Sequence, residues 1–246
     1  MTAARKERGA PRSGRGAGGW LRLGVAGALF LVAGTVLGHT ISGGDATFVQ
    51  GTVGAAVGPF VYLGAKHMVT GYDHLLFLVG VVFFLYRVND VVLYVSLFTI
   101  GHSLTLIGGV LGGLNVDAYL IDAVIGLSVV YKAFENMGGF REVLGVNPDS
   151  RIAVLVFGLF HGLGLATRLQ DMALAEEGLV VNLLSFNLGV EAGQVLALLF
   201  VVALLFRWRL SAHFERQAFT ANAALMCGGF LLTGYQLAGF LLAEPA

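Results

Sequence analysis

Long apolar stretches alternate with short polar connections from residue 60 to residue 243. Six of these stretches approach the roughly 20 residues that an α-helix needs to cross the hydrocarbon core of a bilayer. They cover residues 60–86, 90–111, 118–138, 152–174, 179–206 and 217–243. Strands in a membrane close into a barrel and alternate over segments of about ten residues, unlike these continuous stretches. The pattern predicts an all-α fold, a polytopic transmembrane helical bundle with six core helices.

The N-terminal region has a different character. Residues 1–19 are basic and rich in Gly and Arg, which predicts a disordered cytoplasmic tail. Residues 20–38 are apolar, and we expect either an N-terminal transmembrane helix or a signal peptide there, because residues 24–37 have the length of a signal-peptide core. The six-helix membrane domain then covers residues 39–246.

Positive charges lie in alternate connections between the apolar stretches. Residues 40–59, 112–117 and 175–178 contain no Lys or Arg, whereas the other connections and helix ends hold Arg87, Lys132, Arg141, Arg151, Arg207, Arg209 and Arg216. The positive-inside rule predicts a multi-pass protein of the cell inner (plasma) membrane, with the N-terminus cytoplasmic if it is uncleaved and the C-terminus outside. Two exceptions, Lys66 and Arg168, either extend towards the outer surface or pair with an acidic group.

Composition narrows the class of protein. Hydrophobic residues make up 57% of the chain and charged residues 12%, whereas soluble domains have about 45–50% and about 25%. The net charge of zero argues against a nucleic-acid partner, because nucleic-acid binders concentrate Lys and Arg on one face. Cys227 is the single cysteine, so thiolate metal chemistry is not expected. The 36 glycines fit close helix packing in the lipid bilayer, and a homo-oligomer is left open.

Ionisable side chains interrupt the apolar stretches, where each is costly unless it has a partner or a function. His67, Asp73 and His74 lie in the first stretch. On a continuous helix, His67 and His74 would be about 10 Å apart on nearly the same face, too far apart to share one ion comfortably. Gly71 lies between them, and a bend at this position would bring the two side chains closer.

Polar residues in the other stretches lie at a common depth. Asp73, His74, His102, His161 and Glu191 all fall near the middle of their stretches. Imidazoles and carboxylates without thiolates are the ligand set of Ni²⁺, Zn²⁺, Co²⁺ and Cu²⁺. We therefore predict that a divalent transition metal ion is bound by His67 at the outer approach and by Asp73, His74, His102, His161 and Glu191 in a site near the middle of the bilayer. Neighbouring hydroxyl and amide groups are expected to orient these ligands: Thr70, Thr99, Ser103, Asn187 and Gln194.

The same residues permit other interpretations. A single intramembrane histidine is commonly a hydrogen-bonded packing residue. Three histidines and an acid around an open metal position also make a zinc-dependent intramembrane hydrolase, in which Ser103 would lie beside His102. Two histidines can instead be axial ligands of a haem. Asp122 and Glu135 lie nearer the ends of their stretch, where they either serve the approach and exit of an ion or pair with a cation such as Lys132.

A faint internal repeat links two of the stretches. The spacing of Phe98, His102, Leu104 and Leu106 is matched by Phe157, His161, Leu163 and Leu165. The two stretches are expected to run in the same direction, and parallel repeats occur in transporters with the binding site between them.

Four ordered segments resemble the HupE/UreJ family of membrane proteins. They are His67-x5-Asp73-His74, residues 98–106, Phe160-His161-Gly162 and residues 186–194. The resemblance covers residues 60–240 and implies a small helical permease that supplies nickel to hydrogenase or urease. It also implies that His67, Asp73, His74 and His161 belong to the metal pathway.

One segment departs from the motif of the nickel permeases. Gly164, Ala166 and Arg168 stand where that motif has Ala or Val, Gly and Glu. A cation in place of a carboxylate changes the local field by two charges. His39 would suit the histidine that the family often carries near its mature N-terminus, as an external metal-capturing residue.

The sequence therefore predicts a membrane permease for a divalent transition metal ion, not an enzyme. The resemblance favours nickel, with cobalt, zinc and copper as alternatives. No nucleotide-binding motif is present, so the driving force would be the membrane potential, a proton gradient or the metal gradient.

Overall fold

The structure, a computed structural model, describes residues 43–171 and 175–243. The predicted tail, the N-terminal helix or signal peptide, and His39 lie outside the described residues. Within the described ranges the chain forms nine helices and no strand: α1 (Gly43–Gly51), α2 (Val57–Thr70), α3 (Tyr72–Val82), α4 (Val88–Leu111), α5 (Ala118–Asn136), α6 (Gly139–Val143), α7 (Ser150–Gln170), α8 (Leu179–Arg209) and α9 (Phe214–Leu242). The prediction of an all-α, polytopic bundle is confirmed.

The six predicted membrane crossings correspond to seven of these helices. Among the described residues, α4, α7, α8 and α9 are long and apolar enough to cross a membrane. The third predicted stretch is α5, which has 19 residues and carries three charged side chains. The first predicted stretch, residues 60–86, is not one helix but the two helices α2 and α3, joined at Gly71. The pattern does not predict α1 and α6, which are too short to show a helical period.

Glycines allow the long helices to pack backbone to backbone. A β-carbon at Gly189 of α8 would overlap the carbonyl oxygen of Val61 of α2, and one at Gly193 would crowd the carbonyl of Ala65. Because both contact positions advance together along the chain, α2 and α8 run parallel. Small residues permit such close approach in lipid, where packing rather than water exclusion holds helices together.

The same kind of contact joins α4 to α7 and α5 to α9. Gly158 of α7 lies against the backbone of Phe98, and Gly162 lies against that of His102, so α4 and α7 are also parallel. In the third pair, Gly126 of α5 faces Gly229 of α9 and Gly239 faces Tyr119, an antiparallel arrangement. All three orientations agree with six crossings that alternate in direction.

Polar contacts close the two ends of the bundle. At one end, which we call the Asn182 end, the Asn182 side chain accepts a hydrogen bond from the Ala56 amide at 2.8 Å and donates one to the Gly54 carbonyl at 2.9 Å. At the opposite end, the Arg209 end, the guanidinium donates to the carbonyls of Val82 and Phe83, both at 2.6 Å. A cation at this position satisfies the unpaired carbonyls at the end of α3.

Charged residues inside the bundle are paired. Lys66 lies 2.6 Å from Asp45 of α1, and Arg168 of α7 pairs with Asp122 of α5. Lys132 pairs with Glu135, one turn along α5, at 2.6 Å. Of the alternatives that the sequence leaves open for these residues, pairing with an acidic group is the one found. Pairing offsets the cost of holding a charge in a low-dielectric interior.

Candidate functional site

The helix that carries the first histidine motif breaks at Gly71. Its backbone is extended (φ −74°, ψ 96°), which ends α2 and lets α3 start at Tyr72. The Gly71 amide still donates to the His67 carbonyl at 2.8 Å. As a result the ring centres of His67 and His74 lie 5.2 Å apart, about half the separation on a continuous helix. The bend that the sequence permits is therefore present.

Asp73 holds His74 in place. The carboxylate Oδ1 accepts a hydrogen bond from the backbone amide of His74 at 2.9 Å and lies 2.9 Å from Nδ1 of the same residue. Both side chains are buried. A carboxylate in the first turn of α3 is stabilised by the positive end of the helix dipole. With Asp73 on Nδ1, the imidazole nitrogen Nε2 of His74 is available to a metal ion, an arrangement typical of histidine metal ligands.

Histidine rings from three other helices surround His74. Its ring centre lies 4.7 Å from that of His161 on α7 and 6.2 Å from that of His102 on α4. The distance to His67, on α2, is 5.2 Å. We call these four residues the histidine cluster. His74, His102 and His161 are at least 95% buried, and the tertiary structure thus brings together four of the six predicted ligands.

Three nitrogens of the cluster are buried without a hydrogen-bond partner among the described residues: Nε2 of His74, Nε2 of His102 and Nδ1 of His161. For His161, the contact with Ser128 explains why Nδ1 is the nitrogen without a hydrogen-bond partner among the described residues. The Ser128 hydroxyl donates to the Ile125 carbonyl at 2.6 Å, so its oxygen is an acceptor for Nε2 of His161, 3.3 Å away. This network assigns the proton to Nε2 and a lone pair to Nδ1. A buried imidazole nitrogen with a lone pair is a metal-ligand candidate.

Hydroxyl and amide groups connect α4 to α8 beside the cluster. Thr99 donates to the Gln194 side chain at 3.1 Å, and Ser103 donates to Asn187 at 3.0 Å. Asn187 also donates to Glu191 at 3.3 Å. Glu191 is half-buried and joins the network through this amide, one residue removed from the histidine rings.

Thr70 is the last residue of α2. Its side chain is exposed, and its hydroxyl donates to the Lys66 carbonyl of its own helix at 2.8 Å. Such a bond back to the preceding turn is common for Thr in helices. The Thr70 hydroxyl thus bonds its own helix, and its function in orienting a ligand stays a prediction. Ser128, which sequence reasoning missed, contacts His161. The available signal was a hydroxyl in the middle of an apolar stretch.

Aromatic rings cover one side of the histidine cluster. The ring centres of Phe77 and Phe98 lie 5.2 Å and 5.1 Å from that of His161, and Phe157 contacts Phe77 at 5.8 Å. Phe98 and Phe157 belong to the internal repeat, whose two copies lie side by side on the parallel helices α4 and α7. An apolar wall of this kind excludes water and strengthens electrostatic interactions within the cluster.

The cluster is compact but is not arranged as a coordination sphere. Among residues 43–171 and 175–243, no three His, Cys, Asp or Glu side chains are grouped so that they could hold a metal ion. Metal–nitrogen bonds of about 2.0–2.1 Å allow the ring centres of two ligands to lie within about 6 Å of each other. The separations of His161 and His67 from His74, 4.7 Å and 5.2 Å, satisfy that limit. Reorientation of the rings, rather than movement of the helices, is what binding would require.

The family comparison agrees with the fold and the histidine cluster. The family described as HupE / UreJ protein matches residues 44–244, most of the chain. The chain belongs to the HupE/UreJ family. No curated protein and no solved structure matches it.

HupE/UreJ proteins are membrane transporters, and the family suggests transport of nickel or cobalt. This agrees with a multi-pass membrane protein whose interior holds the histidine cluster. In this HupE/UreJ chain, Arg168 lies against Asp122. The charge of Arg168, which stands where the nickel-permease motif has Glu, is therefore compensated by the carboxylate of Asp122.

Proposed function

We propose that the protein is a permease for a divalent transition metal ion, with nickel or cobalt as the favoured cargo. The ion would pass through the histidine cluster near the middle of the membrane, where His67, Asp73, His74, His102 and His161 contribute ligands in turn. The observation that carries the proposal is the convergence of four imidazoles from four helices on one buried point. Imidazole is the preferred ligand of such ions when no thiolate is present.

Electrostatics supports passage of a cation. Asp73 contributes a negative charge beside His74, while the nearby basic side chains of Arg168 and Lys66 are paired with carboxylates. A cluster that is not arranged as a complete coordination sphere favours transit, because conduction requires binding that is tight enough to admit the ion and loose enough to release it.

The charge distribution along the chain supports an orientation in the membrane, and the membrane potential then favours one direction of transport. With the Arg209 end in the cytoplasm, as the positive-inside rule requires, the Asn182 end faces outward and the membrane potential favours inward movement. An ion of charge +2 gains about 4.6 kcal/mol per 100 mV on moving inward. We propose this orientation in the inner membrane.

Uptake by cells tests the proposal. Loss of His74 or His161 removes a ligand from the centre of the cluster, so His74→Ala and His161→Ala should lower Ni²⁺ or Co²⁺ uptake about tenfold or more. Uptake is measured with radioactive metal in cells that lack other importers, and each variant is normalised to its amount in the membrane.

His213→Ala is the matched control, because His213 is exposed at the start of α9 and lies outside the cluster. Its uptake should equal that of the unaltered protein. Uptake that is unchanged in both cluster variants would rule out transport through these histidines.

A zinc-dependent hydrolase is the alternative function. It requires three protein ligands on one resident zinc and a position for water. The family is one of transporters, which favours transport. Zinc that stays bound at one equivalent throughout purification and is lost in His161→Ala would favour the hydrolase instead.

A further inference from the structure

The interface between α5 and α7 is polar at three successive levels. Asp122 pairs with Arg168 towards the Asn182 end, Ser128 contacts His161 in the middle, and Glu135 accepts a hydrogen bond from Ser150 towards the Arg209 end. The three levels define what we call the polar seam. Adjacent levels are about 9–10 Å apart along α5. The histidine cluster therefore meets the seam at its middle level.

The two charged levels of the seam differ in how they are built. Lys132 and Glu135 belong to one turn of one helix, so movement between helices leaves that pair intact. Asp122 and Arg168 belong to different helices, so their contact breaks whenever either side chain turns away. Of these two ion pairs, Asp122 and Arg168 can therefore separate and bind other partners without unwinding a helix.

Asp122 and Arg168 differ in exposure as well. The Asp122 side chain is 6% exposed, whereas that of Arg168 is 24% exposed. A long basic side chain near a helix end can extend its charged head towards water, but a short carboxylate stays where its backbone holds it. Departure of Arg168 would remove this positive charge from the Asp122 carboxylate, which stays inside the bundle.

That carboxylate lies beside α7, the helix that carries His161. A β-carbon built on Gly164, between His161 and Arg168 on α7, would lie 3.7 Å from Oδ1 of Asp122. The carboxylate thus faces the backbone of α7 on the outward side of His161. Buried nitrogens of His74 and His161 without a described partner lie at the next level.

We propose that Asp122 is a further cation ligand, on the outward side of the histidine cluster, and that Arg168 is a tethered cation that occupies it when no cargo is present. This inference rests on the proposed transport function and adds a residue and a step to it. An arriving divalent ion displaces the guanidinium, binds the carboxylate, and passes on to His74 and His161. When the ion leaves, Arg168 returns, which prevents the ion from moving back.

The proposal predicts an order of Ni²⁺ affinities among variants of Asp122 and Arg168. Removing the competing cation in Arg168→Gln should tighten Ni²⁺ binding about tenfold or more, because the ion no longer has to displace a charge from Asp122. Removing the ligand in Asp122→Asn should weaken Ni²⁺ binding by a similar factor. Arg168→Lys keeps the tethered cation and should stay within about threefold of the unaltered protein.

The experiment is calorimetric titration of the full chain in detergent with NiCl₂ alone, on the monodisperse fraction of each variant. The double variant Asp122→Asn with Arg168→Gln guards against poor folding, since it leaves no buried charge unpaired. It should bind Ni²⁺ at least tenfold more weakly than Arg168→Gln alone. Arg141→Gln, which removes an exposed cation, is the matched control and should leave the dissociation constant unchanged.

A purely structural ion pair gives a different result. In that case both single substitutions lower the yield and the melting temperature, the double variant restores both, and the dissociation constants of all folded variants agree within twofold. That outcome overturns the proposal. If the unaltered protein binds Ni²⁺ and His74→Ala abolishes binding, the transport site stands and only the function of Asp122 and Arg168 fails. If the unaltered protein binds no Ni²⁺ or Co²⁺, the proposed function itself fails.

Discussion

Two histidines of the cluster use one ring nitrogen for a carboxylate or a hydroxyl. Asp73 lies on Nδ1 of His74, and Ser128 lies on Nε2 of His161. These contacts fix which nitrogen carries the proton and therefore which nitrogen can bind an ion. Partners of this kind commonly change metal affinity by 10–100-fold when they are removed.

Ser128→Ala tests this effect on a single residue. Without the hydroxyl, the proton of His161 is free to move between its two nitrogens, so fewer molecules present Nδ1 with a lone pair. We expect Ni²⁺ binding to weaken about tenfold while the fold is retained. Ser185→Ala is the control, because Ser185 is also buried and bonds a carbonyl of its own helix but contacts no histidine in the described structure. Equal affinities for the two variants would contradict the assignment.

At the scale of the helices, the position of each histidine depends on how closely the backbones approach. Gly162 of α7 lies against the carbonyl of His102, and Gly158 and Gly101 maintain the same contact one turn away. Parallel packing of α4 and α7 brings His102 and His161 to one level because the internal repeat has the same spacing on both helices. Close packing is therefore part of how the cluster forms.

Gly101→Ala should destabilise the protein. A β-carbon there would crowd the carbonyl of Leu155 and the amide of Leu159, both backbone atoms that cannot turn aside. Forcing the helices apart is expected to cost about 1–3 kcal/mol, measured as a lower unfolding midpoint in detergent. Gly108→Ala on the same helix meets nothing within 4 Å and should leave stability unchanged or raise it by up to about 1 kcal/mol. A Gly101→Ala variant as stable as Gly108→Ala would show that this contact is not required.

At the scale of the whole molecule, the three helix pairs α2/α8, α4/α7 and α5/α9 fit an alternating series of six crossings. The loops at the Asn182 end contain no Lys or Arg, whereas the loops at the Arg209 end contain basic residues. Charge and packing therefore support the same topology. We infer that the Asn182 end lies outside the cell.

Labelling of introduced cysteines tests this topology. In a chain whose own Cys227 is replaced by Ser, Leu114→Cys places a thiol on an exposed loop at the Asn182 end, and Val146→Cys places one at the opposite end. A membrane-impermeant maleimide should label Leu114→Cys in intact cells and Val146→Cys only after the membrane is opened. The reverse pattern would overturn the proposed orientation of the chain in the membrane.

Much of the site could be predicted from the sequence because ionisable residues are rare in apolar stretches. His67, Asp73, His74, His102 and His161 stand out for that reason, and depth counted from the helix ends places all of them except His67 at one level. Contacts between helices gave less reliable predictions. Thr70 faces away from the cluster, and Ser128 faces it, because a sequence does not state which side of a helix meets its neighbours.

The sequence by itself determined that this is an all-α, multi-pass membrane protein, and it predicted six crossings with imidazoles and carboxylates at their centre. Hydrophobic length and charge bias are local quantities, so they can be read along the chain. Only the tertiary structure decided that the first crossing breaks at Gly71, that His74 is the ring on which three others converge, and that Arg168 lies on Asp122. These features depend on backbone approach between helices distant in sequence, which is set by packing across the whole bundle.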